Sequence, residues 1–204
     1  MARTDDSAPD GRVARRQRNI DAVLDVVLEM FTEEAMFPSI EQAATRSGLS
    51  LRSVYRYFSD PSELVGAAIE RHRERTQQFA HIRSIGEGPL VKRVDVFVAM
   101  RLGLYEAVGA AYRATVHNAV SASRPAQELA RNRDDFGRQF ELQFAPELDG
   151  RAPGERQALL AAGDVLTQLD AIDLLRRHGG MSEEEAGEAL RTGLFALLGG
   201  GTRG

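Results

Sequence analysis

The stretch from Ser39 to Leu64, SIEQAATRSGLSLRSVYRYFSDPSEL, constrains this chain more than any other. It holds two short runs with helical spacing, separated by a single glycine, so the two helices must cross steeply. Ser39 reads as an N-cap, because its hydroxyl can accept a bond from an amide two or three residues on. After it, Ile40, Ala43 and Ala44 recur at helical spacing and form a narrow apolar stripe. The alanines suit a steep crossing, where larger side chains have no room. Gly48 ends the first helix at a position that usually wants positive φ, and Leu49 plugs the corner. Ser50 caps the second helix. Val54 packs back between the two, with Leu51 and Phe58 flanking that contact.

The outward face of the second helix then carries Arg52, Ser53, Tyr55, Arg56 and Tyr57. Arginine makes paired bonds to guanine edges, and hydroxyls reach bases or phosphates. A helix-turn-helix presents such a face to the major groove of double-stranded DNA while its first helix braces the second. Spacing alone leaves a second reading open, an ordinary αα-corner with a solvated basic face.

The segment from about Arg15 to Ile69 resembles the N-terminal DNA-binding domain of the TetR family of bacterial transcriptional regulators. The matching pieces are a first helix ending LEMFTEE, then SIEQAA, SGLS, VYRYF and SEL. The run Tyr55-x-Tyr57-Phe58, followed six residues on by Leu64, is the most specific of them. The resemblance covers about the first third of the chain at motif level, and beyond it only length and helical character agree. It implies an all-α homodimer with an N-terminal three-helix helix-turn-helix domain and a C-terminal helical domain for ligand binding and dimerisation. It also implies a ligand-responsive repressor that binds an approximately palindromic operator. The DNA-contacting set becomes Ser39, Ser50, Leu51, Arg52, Ser53, Tyr55, Arg56 and Tyr57.

Two positions depart from the family pattern. Ala35 stands where the family usually has glycine at the exit of the first helix. Pro61 stands where it usually has a phosphate-binding lysine. Proline is accepted at N1, and Asp60 with Glu63 reads as a cap and its N3 partner. The helix start is kept and a cation is lost, so binding leans on Ser39, Tyr57 and the N-terminal arginines. Such a loss weakens affinity more than sequence choice.

Charge is distributed unevenly. The net charge is −4, and residues 1–60 hold 8 basic and 10 acidic side chains. Arg12, Arg15, Arg16 and Arg18 nevertheless form one basic cluster, and Arg46, Arg52 and Arg56 another, with no acid between Gln42 and Ser59. A field of this kind orients a protein on DNA without coating it non-specifically. The absence of cysteine excludes disulfides and thiolate metal sites and fits a cytoplasmic protein. No eighteen-residue apolar run exists to span a membrane. The opening MARTDDSAPD has no apolar core, and residues 1–11 read as a disordered lead.

The pattern predicts a DNA-binding domain with its connector over residues 12–82 and a helical ligand-binding and dimerisation domain over 83–204. The first helix is expected over Arg12–Glu33, and the connector over Pro61–Ile82. Leu90–Ser121 follows as one helix or as two meeting near Gly103 and Gly109. A helix opening at Pro125, one over Gly154–His178 and one starting at Ser182 complete the chain. Ala158, Ala161, Val165, Leu169 and Ile172 on one helix, with Leu190, Leu194 and Leu197 on the last, are the expected dimer surface. Intrachain core is the competing account. Phe97, Met100, Leu104, Tyr105, Tyr112, His117, Phe136 and Phe140 are candidates to line an inducer pocket, with plain core again as the alternative.

Nothing in the sequence points to catalysis, a cofactor or a metal. His72, His81, His117 and His178 are scattered, and no phosphate loop, nucleophile elbow or carboxylate pair stands out. A reading of another class, a helical small-molecule-binding or enzymatic protein using the corner only as scaffold, predicts no sequence preference for DNA.

Overall fold

The computed structural model describes residues 8–34, 38–119 and 123–199, and all regular structure among them is helical. The chain divides into two compact units. One comprises Met1–Arg75 with Arg113–Ala126, the other Thr76–Tyr112 with Gln127–Gly204. The sequence pattern suggested a single boundary after Ile82. Instead, one long helix contributes to both units.

In the first unit, α1 spans Ala8–Glu34, α2 Ile40–Ser47, α3 Leu51–Tyr57 and α4 Pro61–Thr76. Helix α1 begins before Arg12, so residues 8–11 of the expected lead are helical. The rest of that lead, and the exit at Ala35, lie outside the described residues. Val23, Leu24, Val27 and Leu28 of α1 meet Ile40, Ala43 and Ala44 of α2, Val54 of α3, and Leu64 and Ala68 of α4 in one apolar core. Arg71 of α4 ties α1 down from outside that core, bonding Asp21 at 2.6 Å and Asp25 at 2.9 Å. Arg75 adds a second contact to Asp25 at 2.7 Å.

The second unit follows a 3₁₀ turn at Gln77–Ala80. Helix α5 runs unbroken over Leu90–Ala119, so neither Gly103 nor Gly109 divides it. Helix α6, Ser123–Gln143, starts two residues ahead of Pro125, and the single turn α7, Ala145–Leu148, carries Pro146 near its start. The helix expected over Gly154–His178 is broken. Helix α8 covers Pro153–Thr167, Gln168 is extended, and α9, Leu169–Asp173, runs on into a π-helical turn at Leu174–His178. No proline or glycine announces that break. The Thr167 hydroxyl donates back to the Gly163 carbonyl, a contact that tends to bend helices, and the Gln168 side-chain amide donates to the Asp164 carboxylate and to the Arg133 carbonyl of α6. Helix α10, Glu183–Leu198, opens on a capping box formed by Ser182 and Glu185.

The core of this unit centres on Phe97, Phe140 and Phe144, whose ring centroids lie 4.9–6.1 Å apart. Gly163 is required beside them, because a Cβ there would stand 1.9 Å from the Phe140 ring. No described helix is long and apolar enough to cross a membrane.

Candidate functional site

The α2–α3 corner is built by local chemistry. The Ser39 hydroxyl accepts the Gln42 amide at 3.2 Å, and the Gln42 side chain accepts the Ser39 amide at 2.7 Å. These bonds occupy donors that a helix start otherwise leaves open. Gly48 lies in the left-handed region at φ 70°, where its own amide and that of Leu49 close onto the last carbonyls of α2. Ser50 then caps α3, accepting the Ser53 amide at 3.2 Å, while the two hydroxyls bond each other at 2.9 Å. Val54 is fully enclosed against the two alanines, so α3 is held from behind by contacts that admit one register. The chain is therefore all-α, with an N-terminal helix-turn-helix and a second helical unit.

The opposite flank of α3 faces outward. Leu51 is 42% exposed and Tyr55 47%, and Arg52 and Arg56 are exposed beside them. Ser53 is half-buried, and Ser50 is exposed at the helix start. Tyr55 donates to the Glu41 carboxylate at 3.3 Å, and that negative charge raises the phenol's pKa. Tyr57 is the correction. Grouped by sequence with the outward residues, it is only 8% exposed and belongs to the core. Its hydroxyl accepts bonds from Asn19 and Arg56, both at 3.1 Å, which pull its pKa below the usual phenol value. The Arg16 and Arg56 guanidinium groups lie 5.7 and 5.2 Å from its ring centre. Tyr57 thus collects cations from α1 and α3 at one corner without offering its own hydroxyl outward.

The surrounding charges are mixed. Arg46 is engaged with Glu33 at 2.5 Å. At the start of α4 the Asp60 carboxylate accepts the Glu63 amide at 2.9 Å, and Glu63 reaches back to the Ser59 amide at 2.6 Å. Pro61 therefore sits at the head of a well-capped helix whose start carries the negative charges of Asp60 and Glu63.

The residues grouped as a pocket lining differ in burial. Phe97, Leu104, Tyr105, Tyr112, Phe136 and Phe140 are buried, Met100 is half-buried, and His117 is exposed on the part of α5 that belongs to the first unit. The rings of Phe97 and Phe140 pack on each other and on Phe144, which is core packing. Tyr105 donates to Asp173 at 2.8 Å, and Tyr112 donates to Asp170 at 2.6 Å; burial first, and then Asp170, push the Tyr112 phenol upward.

Sequence reasoning passed over Arg101. It lies among those aromatic residues and is fully buried, with its guanidinium carbon 4.6 Å from the Phe97 ring centre and 4.4 Å from that of Phe136. Burial drags its pKa down to about 9 despite an opposing pull from Asp164. Its position was readable in principle, since it falls four residues after Phe97 and three before Leu104 on the same helix face.

The expected dimer surface separates into two groups. Ala158, Ala161 and Val165 are exposed, Val165 to 70%, and Leu197 is half-buried. Leu169, Ile172, Leu190 and Leu194 are enclosed within the chain itself and are unavailable to a partner. The bend at Gln168 accounts for the members on α8 and α9: the face that is outward along α8 turns inward along α9.

A solved structure with a similar fold is that of a transcriptional regulator from Rhodococcus sp. Rha1. The match has a TM-score of 0.67 and covers 89% of this chain and 96% of that one, at 16% sequence identity. The two share a fold. No protein-family model matches the sequence, and no curated protein matches it significantly.

Proposed function

We propose that this chain is a sequence-specific transcriptional regulator of the TetR type, a ligand-responsive cytoplasmic repressor that binds double-stranded operator DNA as a homodimer. The reading rests chiefly on α3: one flank is locked by Val54 and Tyr57, and the other presents Leu51, Arg52, Tyr55 and Arg56 to solvent. Arg52 and Arg56 provide forked donors for guanine edges, and Leu51 an apolar contact for a thymine methyl. Ser39 and Ser50 place helix starts where phosphate oxygens meet free amides. The Rhodococcus regulator's fold is consistent with this use of the corner.

The exposed residues Ala158, Ala161 and Val165, with Leu174 (59% exposed) and half-buried Leu197, form the proposed subunit contact. Two-fold pairing would set two α3 helices against successive major grooves and give a palindromic operator. A small molecule that binds the C-terminal unit only in the DNA-incompetent arrangement would release the operator.

The test begins with selection of bound fragments from genomic DNA, followed by gel shifts on the recovered site across a salt series. Arg52→Ala and Tyr55→Ala should each abolish specific retention while circular dichroism and oligomeric state stay unchanged. Undiminished specific binding by both variants would refute the assignment of α3. Val165→Arg should convert a dimer to a monomer in sedimentation velocity, with little change in folding.

A further inference from the structure

The arginines of the first unit do not all behave alike. Arg46, Arg71, Arg73 and Arg75 each close on a carboxylate. Arg16 and Arg56 instead lie on the Tyr57 ring, their guanidinium carbons 5.7 and 5.2 Å from its centre, and among the described residues no carboxylate pairs with either. The Tyr57 hydroxyl is already engaged, accepting from Asn19 and from Arg56, both at 3.1 Å, so Arg16 meets only the ring. An aromatic ring holds a guanidinium in place through its quadrupole without neutralising the charge. Arg16 is therefore an exposed, oriented cation whose hydrogen-bond donors have no side-chain partner among the described residues.

Its place on α1 gives that cation a direction. Arg12 stands four residues before Arg16 and Asn19 three after it, so the three share one side of the helix, in line with the buried Val23. Arg12 and Arg16 are both exposed, and they continue the core-facing stripe of α1 past the end of the core as a cationic strip. Arg18, also exposed, falls on the other side of the helix. Tyr57 is the last residue of α3. A recognition helix meets base edges with its N-terminal residues, which leaves its last turn toward the phosphate strand at the lip of the groove. The charged groups that act on the Tyr57 phenol, Arg56 and Arg16, are both positive, so nothing at this corner repels a phosphate.

We propose that Arg16, seated on Tyr57, binds a backbone phosphate of the strand flanking the groove that α3 enters, with Arg12 extending the contact along α1, an assignment that rests on the DNA reading above and gives the first helix a part in it. A forked guanidinium suits phosphate oxygens. Because the ring orders Arg16 before DNA arrives, less freedom is lost on binding. The contact is to charge and carries no sequence information, so α1 adds affinity while the flank of α3 chooses the site. The start of α4, with Asp60 and Glu63, offers no comparable grip on the backbone.

The test is fluorescence anisotropy of the full chain on the selected operator and on a shuffled duplex of equal length, each across a salt series. Arg16→Ala should lower the slope of log affinity against log salt by about 0.9, the value of one phosphate contact, on both duplexes. It should weaken both by a similar factor and leave their ratio unchanged. Arg16→Lys keeps the charge and should restore most of the slope. Arg18→Ala removes the same charge from the other side of α1 and should keep the parent's slope. An unchanged slope in Arg16→Ala, an equal loss in Arg18→Ala, or an Arg16→Lys no better than Arg16→Ala would each overturn the proposal. So would a loss confined to the operator in Arg16→Ala, which would make Arg16 a reader of bases. If Arg52→Ala loses discrimination while Arg16→Ala keeps the parent's slope, the backbone contact falls and the DNA reading stands. If the parent prefers no duplex at all, both fall.

Discussion

The two units solve the problem of burial in opposite ways. Between residues 8 and 75 no described charged or amide side chain is buried; the core is hydrocarbon with one tyrosine, and the ion pairs of Arg71 and Arg46 lie outside it. Between residues 93 and 168, Arg93, Arg101, Glu128, Gln143 and Gln168 are all enclosed. Arg93 meets Glu147, and Gln143 bonds the backbone of Gly86 and of Arg93. The dry core suits a part that must present one rigid surface. Under the proposed function, a core stitched with polar groups offers bonds that a ligand can exchange for its own.

Replacing one group in each unit should expose this difference. Val54→Asp puts a bare charge into the dry core and should destabilise the first unit by about 4 kcal/mol, read from urea unfolding. A smaller change would mean that the corner opens to water. Gln143→Leu keeps the volume but strips partners from the Gly86 amide and the Arg93 carbonyl, both at 3.0 Å. A loss of about 2 kcal/mol is expected, because the enclosed backbone groups bear the desolvation cost; a neutral outcome would show that this polar stitching is dispensable. Gly48→Ala forces a side chain into the left-handed region and should cost about 1 kcal/mol in the same assay.

The smallest effect belongs to the surface of the dry unit. Burial raises the Asp25 carboxyl's pKa, but its bonds to Arg71 and Arg75 outweigh that and hold it below its ordinary value. The stability it contributes is therefore complete above the unfolded value near ~4 and is lost as pH falls through the lower folded value. Asp25→Asn should cost less than about 1 kcal/mol at neutral pH, since the pair is partly solvated. The gap from the parent should close in strong acid. A gap that persists there would point to shape in place of charge.

The helix-turn-helix was legible because its determinants lie within a few residues of one another. Ser39, Ala43, Ala44, Gly48, Ser50 and Val54 each have a local role, and the structure places each one in it. Tyr57 was misread by residue type. Its spacing, three after Val54, already put it on the buried flank. The second unit was harder, because its decisive contacts join distant segments. Leu169 and Leu190 look like surface seams until the bend at Gln168, unmarked by proline or glycine, turns the first inward. Arg101 resisted a pattern that expects apolar residues on an inward face.

The central claim is that the solvent-facing flank of α3 reads base edges while Tyr57 only steadies it. Fluorescence anisotropy on a selected operator and on the same duplex with its central guanines replaced separates the two roles. The account predicts that Arg52→Ala binds both duplexes equally and weakly, while Tyr57→Phe still distinguishes them at reduced overall affinity. Discrimination that survives Arg52→Ala but vanishes in Tyr57→Phe would contradict it.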